Sequence, residues 1–495
     1  MNADVQELHE RLAEIADLGK AMAVLGWDQR VCMPRGGTEA RANQLATLTA
    51  IEHARATDPA LERLLERLRP LEEQHPYDSD EASLIRVTRR DLEKEKQVPA
   101  ELRQEATRAA VRGHQAWVAA REARDFQAFL PYLRENVELR RRYAECFAPE
   151  DCLYTALLDD YEPGMKTADV VEVFAVLRPA LQQLVAKAPE VEAGFLHGDF
   201  PPEAQRALAE RMLRTLGFEE GSWRLDPTVH PFCTSFANRD VRMTTRYRPD
   251  DLESIWSTLH EAGHGLYAHG NRTELGLTPL SGAPSLGLNE SQSRTWENLV
   301  GRGRPFWTFW YPRLQDAFPS AFAGVELDSF LRAINRAEPG LIRVDADETT
   351  YSLHIILRFE LEQAMLEGTI ALEDLPEAWN AGMKDLLGID VPDDGLGVLQ
   401  DVHWSGGGMG YFPTYALGNV ISLQLWQVVR DALPDLDDAL AAGDPTPLSA
   451  WLTANLYSLG RKLTPGETLE RLTGSPRIDP GPYLAYLETK LGALV

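Results

Sequence analysis

The sequence His260-Glu261-Ala262-Gly263-His264 lies in a segment, residues 250–270, whose apolar residues repeat at helical spacing. Histidines four residues apart project from the same side of a helix, where two imidazoles can bind one tetrahedral metal ion. Glu261 lies beside them and is placed to take a proton from water. The segment therefore predicts a metal-binding hydrolase helix, with Asp250 or Asp251 capping its start.

A catalytic zinc site commonly has three protein ligands and leaves one position open. The candidate for the third ligand is Glu290, near the start of a second helical pattern that runs from residue 288 to 300. A glycine- and proline-rich connection, residues 276–287, lets this helix fold back against the first. An acidic residue in a first helical turn is also favoured by the helix dipole, so that explanation of Glu290 stays open.

His269 does not take the place of Glu290 in this hypothesis. Its offset from the two other histidines differs from the three-histidine pattern of metzincins. We expect His269 to support the structure or the surroundings of the site.

The rest of the chain predicts a mainly α-helical fold, because apolar residues with helical periodicity recur along most of its length. Leu61, Leu64, Leu65 and Leu68 illustrate this pattern and would line one helical face. Residues 238–247 alternate instead with a period of two, which predicts one short β-strand directly before the metal-binding helix. We expect a single domain over residues 1–495, with a division into two lobes around a cleft left open.

Composition narrows the partners and the compartment. The 495 residues are 44% hydrophobic and 25% charged, as in a globular protein, and the formal net charge of −26 repels nucleic acids and anionic membrane surfaces. Neither is therefore expected as a partner. The four cysteines show no CxxC spacing, and no apolar run or amino-terminal leader pattern is visible, so we expect a cytoplasmic protein without disulfide bonds. Serine-hydrolase, P-loop and dinucleotide motifs are also missing.

Several ordered motifs carry a resemblance to the carboxypeptidase Taq family of metallocarboxypeptidases. Besides the HExxH sequence, the chain has counterparts of the family's DxRxT, HESQ, IRxxADE and GxxQDxHW motifs and of its amino-terminal segment. These are Asp240–Thr244, Glu290–Gln292, Ile342–Glu348, Gly397–Trp404, Trp27–Gln29, Met33-Pro34 and Gly36-Gly37. One departure is visible, because Asn289 stands where the family has the histidine of HESQ. Any contact which that histidine would make beside the metal is therefore in doubt.

The resemblance implies a helical fold similar to neurolysin and angiotensin-converting enzyme, with a deep active-site cleft and commonly a homodimer. It also implies an exopeptidase that removes carboxy-terminal residues one at a time, with broad specificity. His260, His264 and Glu290 would hold one divalent metal ion, and Glu261 would be the general base. Zinc is the preferred ion, with cobalt or manganese as alternatives, because two imidazoles and a carboxylate suit all three.

Recognition of a free carboxy terminus calls for a cation, and the planar guanidinium of arginine suits a carboxylate. Arg343 is the first candidate. The alternative is that Arg343 pairs with a neighbouring acid to fix a loop, the acids being Asp345, Asp347 and Glu348. Arg242 is the second candidate, although its strand would serve equally as an edge that pairs with extended substrate.

Three further residues are candidates for stabilising the transition state. His403, Tyr411 and Tyr415 flank the flexible run Gly406-Gly407-Gly408, and each has a group that donates to a developing oxyanion. We favour Tyr415 over Tyr411, for which simple packing is an equal alternative. His403 would also fit a buried polar network.

Two other functions remain as alternatives. An oligoendopeptidase or a dipeptidyl carboxypeptidase is the closer one, because HExxH plus glutamate does not set the cleavage position. A peptide-binding protein with a vestigial metal site is the other, and the presence of Glu261 argues against it. An aminopeptidase is disfavoured because no GxMEN-type segment is found.

Overall fold

The computed structural model describes residues 2–494, and the chain is 67% helical with one small β-sheet. The first half of these residues forms nine helices: α1 (Ala3–Val31), α2 (Thr38–Ala56), α3 (Pro59–Gln74), α4 (Asp80–Gln97), α5 (Ala100–Ala123), α6 (Phe126–Glu145), α7 (Leu153–Leu158), α8 (Thr167–Lys187) and α9 (Pro202–Thr215). The strands follow directly: β1 (Trp223–Pro227), β2 (Cys233–Ala237) and β3 (Asp240–Thr245).

After the strands, the described part of the chain is again helical. Its helices are α10 (Glu253–Gly270), α11 (Leu286–Arg294), α12 (Arg304–Ala317), α13 (Leu327–Ile334), α14 (Tyr351–Glu367), α15 (Leu375–Leu387), α16 (Pro413–Ala432), α17 (Leu436–Ala441), α18 (Thr446–Asn455), α19 (Pro465–Thr473) and α20 (Gly481–Gly492). The prediction of a mainly helical fold with a small β element is confirmed.

Helix α3 shows how the amphipathic pattern produces packing. Asp58 caps its start by accepting a hydrogen bond from the backbone N–H of Ala60, at 2.8 Å. The four leucines predicted to share one face are all buried, and they pack with apolar residues of α1 and α4 in a cluster separate from the main core. This smaller core holds the amino-terminal helices together.

The main core surrounds the helices that carry the candidate site. α14 and α16 are buried along most of their length, and α11 packs against both α10 and α16. The large side chains of Trp296, Trp307 and Trp379 are fully buried in this core. Helices enclosed in this way are fixed by packing on several sides, so their polar side chains are held in defined positions. The single domain over residues 1–495 stays a prediction, and its division into two lobes stays open.

The sheet has the order β1-β3-β2, with β3 parallel to β1 and antiparallel to β2. β3 is the strand predicted from the sequence, whereas β1 and β2 were not predicted. The interpretation of β3 as an edge strand is wrong, because it is paired on both sides. Thr244, which shares a strand face with Asp240 and Arg242 in the alternating pattern, is fully buried and exchanges hydrogen bonds with the backbone of Phe232.

Among the described residues, none of the helices combines the length and the apolar character that a bilayer span requires. The cysteines Cys32, Cys146, Cys152 and Cys233 are all free.

Candidate metal centre

Helix α10 positions His260 and His264 one turn apart, with their ring centroids 5.0 Å from each other. The helix begins at Glu253, slightly later than predicted, and ends at Gly270 as predicted. Asp251 assists its start, because its Oδ1 accepts a hydrogen bond from the Glu253 N–H at 3.0 Å. The N-cap position itself is Leu252, so neither of the predicted aspartates occupies it, and both imidazoles lie on the same face.

Glu290 lies on α11, which packs closely against α10. Ser285 caps α11 by accepting from the Leu288 N–H at 3.1 Å, and the helical pattern continues as a π-helical turn over Thr295–Val300. A Cβ atom on Gly263 would lie 2.5 Å from both the Gln292 carbonyl oxygen and the Ser293 Cα. The two backbones therefore touch at this glycine, and this contact brings Glu290 to the histidines.

The three predicted ligands are brought together. Glu290 Oε2 lies 3.6 Å from His260 Nε2 and 3.5 Å from His264 Nε2, and one ligand atom of each residue lies within 4.8 Å of the others. Tetrahedral ligands at about 2.0–2.1 Å from a zinc ion are separated by about 3.3–3.4 Å. His260, His264 and Glu290 therefore fit a tetrahedral divalent metal ion.

The Nδ1 atom of each imidazole lies within hydrogen-bond distance of a side-chain oxygen. His260 Nδ1 lies 2.8 Å from Glu297 Oε2, and His264 Nδ1 lies 2.5 Å from Asn289 Oδ1. An oxygen acceptor at Nδ1 fixes the proton there and leaves Nε2 with a free lone pair. Both Nε2 atoms are therefore suited to bind a metal ion.

Glu290 is held as an anion. Its Oε1 accepts from Arg294 Nε at 2.8 Å, and its Oε2 accepts from Ser293 Oγ at 2.9 Å. Burial raises the pKa of Glu290, but the charges of Arg294 and the neighbouring imidazoles outweigh it and keep the pKa well below its usual value. Glu290 is therefore negatively charged near neutral pH and suited to bind a cation.

Glu261 differs from the other acids of the site. Burial raises its pKa to about 7, the charges of Glu290 and Glu297 add to this effect, and His264 opposes it. Burial also raises the pKa of the Cys233 thiol on β2, and the charge of the nearby Glu261 adds to this effect. Glu261 therefore lies beside the sheet with the proton affinity that suits a general base near neutral pH.

Arg343 belongs to a buried ion-pair cluster. Its Nε and Nη2 donate to Asp401 Oδ1 at 3.0 and 2.7 Å, and its Nη1 donates to the Tyr351 hydroxyl at 3.0 Å. Arg358 donates to the other oxygen of Asp401 at 2.5 Å. The two arginines outweigh the effect of burial and hold the pKa of Asp401 well below its usual range. Two cations thus share one anion.

The alternative that Arg343 pairs with Asp345, Asp347 or Glu348 is wrong about the partner, because the acid that pairs with Arg343 is Asp401. Asp347 instead accepts from the backbone at the start of α14, Glu348 pairs with Lys490, and Asp345 lies 3.9 Å from Arg248. Asp401 was present in the GxxQDxHW motif, but the pairing joins segments far apart in the chain. The spacing alone did not indicate it.

His403, Tyr411 and Tyr415 form one group. His403 Nε2 lies 3.3 Å from the Tyr415 hydroxyl, and the Tyr411 and Tyr415 rings are 5.0 Å apart. Burial lowers the pKa of His403 to about 4 and raises that of Tyr411 to about 12, so both are neutral near pH 7. The phenols therefore remain hydrogen-bond donors.

This aromatic group connects the metal centre to the ion-pair cluster. The guanidinium of Arg294 lies over the Tyr351 ring at 4.4 Å, and that of Arg343 lies over the Tyr415 ring at 5.1 Å. The Tyr351 and Tyr415 rings are 6.2 Å apart. These contacts link Glu290 to Tyr415 and Arg343 through Arg294 and Tyr351.

Arg242 lies in different surroundings. It pairs with Asp240 on its own strand, and its guanidinium lies 5.0 Å from the ring centroid of Trp27 and 5.2 Å from that of Phe236. These contacts join α1 to the sheet.

Several residues of the site were missed from the sequence: Glu297, Arg294, Tyr351, Asp401 and Arg358. Arg294 and Glu297 stand four and seven residues after Glu290, on the same face of the helical pattern. That spacing was a usable signal for both.

Two imidazoles and a carboxylate around one point, with a buried glutamate beside them, define a metal-dependent peptidase centre. Residues 7–491 match the family described as Carboxypeptidase Taq (M32) metallopeptidase, and the chain belongs to this family. It is therefore a metallocarboxypeptidase, a peptide hydrolase with a divalent metal ion.

The relatives agree over nearly the whole length. The chain is 42% identical to Thermostable carboxypeptidase 1 of Thermus thermophilus, covering 99% of both chains, and 36% identical to Carboxypeptidase 1 of Bacillus subtilis, covering 99% of this chain and 98% of the relative. The crystal structure of the M32 carboxypeptidase from Deinococcus radiodurans is similar with a TM-score of 0.95 at 41% identity, covering 100% of this chain and 99% of that one.

Proposed function

We propose that this protein removes single residues from the free carboxy terminus of peptides, with broad side-chain specificity. The observation that carries the proposal is the link between two groups of residues. The metal ligands with Glu261 form a hydrolytic centre, and the buried cations around Asp401 form an anion-binding centre connected to it through Tyr351 and Tyr415. A hydrolytic centre next to a group that binds a carboxylate is suited to cleave the last peptide bond before a free carboxy terminus.

Glu261 is the proposed general base. A carboxylate with a pKa near 7 takes a proton from water more readily than an ordinary glutamate and returns it to the leaving amine as an acid. His260, His264 and Glu290 are the proposed metal ligands. A divalent ion, with zinc preferred over cobalt or manganese, supplies Lewis-acid chemistry that polarises the scissile carbonyl and acidifies water.

Arg343 is the proposed reader of the substrate carboxylate. Arg343 and Arg358 together carry two positive charges against the single negative charge of Asp401, so the buried group has a net charge of about +1. An uncompensated buried charge favours binding of an anion. Arg242 is proposed as a second anion contact, nearer the sheet.

Tyr415 is the proposed donor to the developing oxyanion, with His403 and Tyr411 beside it. The Tyr415 hydroxyl is fixed by His403, and burial raises its pKa well above the ordinary value, so it keeps its proton through the reaction. A neutral, positioned donor stabilises an oxyanion without competing charge.

A time course of cleavage tests this function. The metal-reconstituted protein is incubated with peptides of about ten residues that differ in their last residue, and with carboxy-amidated twins, and products are followed by mass spectrometry. Single-residue ladders from every free terminus, with the amides spared, are expected. Internal cuts in both forms would indicate an oligoendopeptidase, loss of residue pairs a dipeptidyl carboxypeptidase, and binding without cleavage a peptide-binding protein.

A homodimer in the cytoplasm completes the proposal. The free state of all four cysteines fits a reducing compartment. Sedimentation equilibrium tests the dimer, and a mass equal to one chain at micromolar concentration would contradict it.

A further inference from the structure

The two metal-ligand histidines have partners of different charge. His260 Nδ1 faces the carboxylate of Glu297 at 2.8 Å, and the same carboxylate oxygen accepts a hydrogen bond from Arg294 Nη1 at 3.1 Å. His264 Nδ1 faces the amide oxygen of Asn289, which carries no charge. The site is therefore asymmetric, with one imidazole supported by an anion and the other by a neutral acceptor.

Asn289 is firmly placed for this contact. It is in the first turn of α11, its backbone N–H donates to the Ser285 carbonyl at 3.1 Å, and the side chain of Ser285 caps the same turn. Glu290 is the next residue. One turn of α11 thus supplies both a metal ligand and the hydrogen-bond partner of another ligand.

We infer that Asn289 is a positioning residue that holds the His264 imidazole with Nε2 directed at the metal, and that its neutral amide sets the metal affinity of this site. The inference rests on the proposed ligation by His260, His264 and Glu290. Asn289 occupies the place of the family's HESQ histidine, and in that place it contacts the proposed metal ligand His264.

The physical basis is the effect of the partner on the imidazole. A hydrogen-bond acceptor at Nδ1 orients the ring and increases the electron density at Nε2, and a charged acceptor does so more strongly than a neutral one. Loss of such a partner typically weakens metal binding by about 10- to 100-fold. The metal affinity with asparagine at position 289 should therefore be lower than with a carboxylate there and higher than with an apolar residue of the same shape.

Two variants of nearly the same shape test this order. Asn289→Asp keeps the acceptor and adds charge, and Asn289→Leu removes the acceptor. The dissociation constant for Zn²⁺ is measured on each purified full-length protein by competition with a chromogenic chelator at fixed pH, and the visible spectrum of the Co²⁺ form reports the ligand geometry. We expect Asn289→Leu to weaken Zn²⁺ binding by about 10- to 100-fold and Asn289→Asp to strengthen it beyond the wild type.

Asn271 offers a matched control, because it is a buried asparagine at the end of α10 whose side chain, among the described residues, bonds two backbone groups, the Tyr267 carbonyl and the Gly282 N–H. Asn271→Asp should leave Zn²⁺ affinity unchanged. Any affinity order other than Asp above Asn above Leu at position 289 overturns the inference. If Asn289→Leu does not fold, as judged by circular dichroism, Asn289→Asp against the wild type decides alone.

His264→Ala separates this inference from the proposed function. If His264→Ala retains the Zn²⁺ affinity of the wild type, the ligand assignment itself is wrong. If His264→Ala loses Zn²⁺ while the position-289 variants match the wild type, only the role of Asn289 is wrong.

Discussion

Glu261 and Glu290 are both buried glutamates within reach of His264, yet their pKa values move in opposite directions. Arg294 donates directly to Glu290 and stabilises its charge, whereas Glu261 has no such hydrogen bond and is raised to about 7. One acid is thus suited to hold a cation and the other to exchange a proton. The guanidinium of Arg294 is the largest of the charges that lower the pKa of Glu290, and the imidazoles of His260 and His264 add to it.

Replacing Glu261 tests the proton-transfer role. Glu261→Gln preserves the shape and should keep the bound metal, because Glu261 is not among the ligands, while kcat falls by about 10²- to 10⁴-fold. Metal content by atomic emission and kcat on a free-terminus peptide are measured together. Retention of more than a tenth of the wild-type kcat would contradict the role.

Replacing Arg343 tests carboxylate recognition. Arg343→Lys loses the planar bidentate geometry, so KM for free-terminus peptides should rise by about tenfold or more, with a smaller effect on kcat. Arg358→Lys is the matched control, because Arg358 binds the same Asp401 from the other side. Equal rises in KM for both variants would assign Arg343 a structural role only.

At the level of residues, the sequence predicted the candidate metal ligands but not the residues that hold the site in position. His260, His264 and Glu290 have side-chain chemistry that is visible in a helical pattern. Asp401 acts through pairings that depend on how distant segments pack, and nothing in its local sequence marks them. For Glu297, the spacing from Glu290 was the one available signal. Asn289 was noticed only as a departure from a motif.

Between elements, glycines allow the ligand-bearing helices to approach. Gly263 lets α10 touch the backbone of α11, and Gly418 of α16 packs on the side chain of Glu290. The position of the third ligand is therefore set from two sides by residues that lack a side chain.

Adding a methyl group at Gly418 should disturb the metal centre. A Cβ atom there would lie 2.7 Å from Glu290 Cβ and collide with its Cγ. We expect Gly418→Ala to lose about 1–3 kcal/mol of folding free energy and to weaken Zn²⁺ binding by about tenfold or more, as loss of a ligand's support does.

Urea unfolding of the metal-free protein and chelator competition measure the two effects of Gly418→Ala. Gly26→Ala is the control, because nothing lies within 4 Å of a Cβ at this position in α1. That change should leave metal affinity intact and stabilise the helix by about 0.8–1.0 kcal/mol. Wild-type metal affinity in Gly418→Ala would show that Glu290 tolerates displacement.

Elements with strong local patterns were predicted, and elements formed by distant pairing were not. α10, α11 and β3 each have clear periodicity. β1 ends in Pro227, and β2 is half-buried up to its exposed last residue, so neither shows the alternation of a strand. Both strands pair with β3. The helical pattern over residues 288–300 did not indicate that its last part, Thr295–Val300, is a π-helical turn that carries the fully buried Trp296.

Over the whole molecule, the metal ion would join two core helices and so contribute to stability. A ligand that binds only the folded state stabilises it by about 2.7 kcal/mol at a free concentration 100 times its dissociation constant. We expect chelation to lower the unfolding temperature and zinc to restore it, as measured by scanning calorimetry. His264→Ala should show no such response.

The overall architecture was predictable because helical periodicity extends over most of the chain and several motifs recur in order. The separate amino-terminal core was not predicted, although the leucines of α3 that form it were. Local spacing identifies a buried face, but which helices share that face is decided by the packing of the assembled chain.

The shared Asp401 also affects how a reaction cycle ends. Arginine stays charged at every working pH, and the amino acid released by a carboxypeptidase still carries the carboxylate that Arg343 is proposed to bind. The shortened peptide cannot place its new terminus there until that amino acid departs. Free amino acids should therefore act as competitive product inhibitors, and their escape from the buried cations sets an upper limit on the rate of successive trimming.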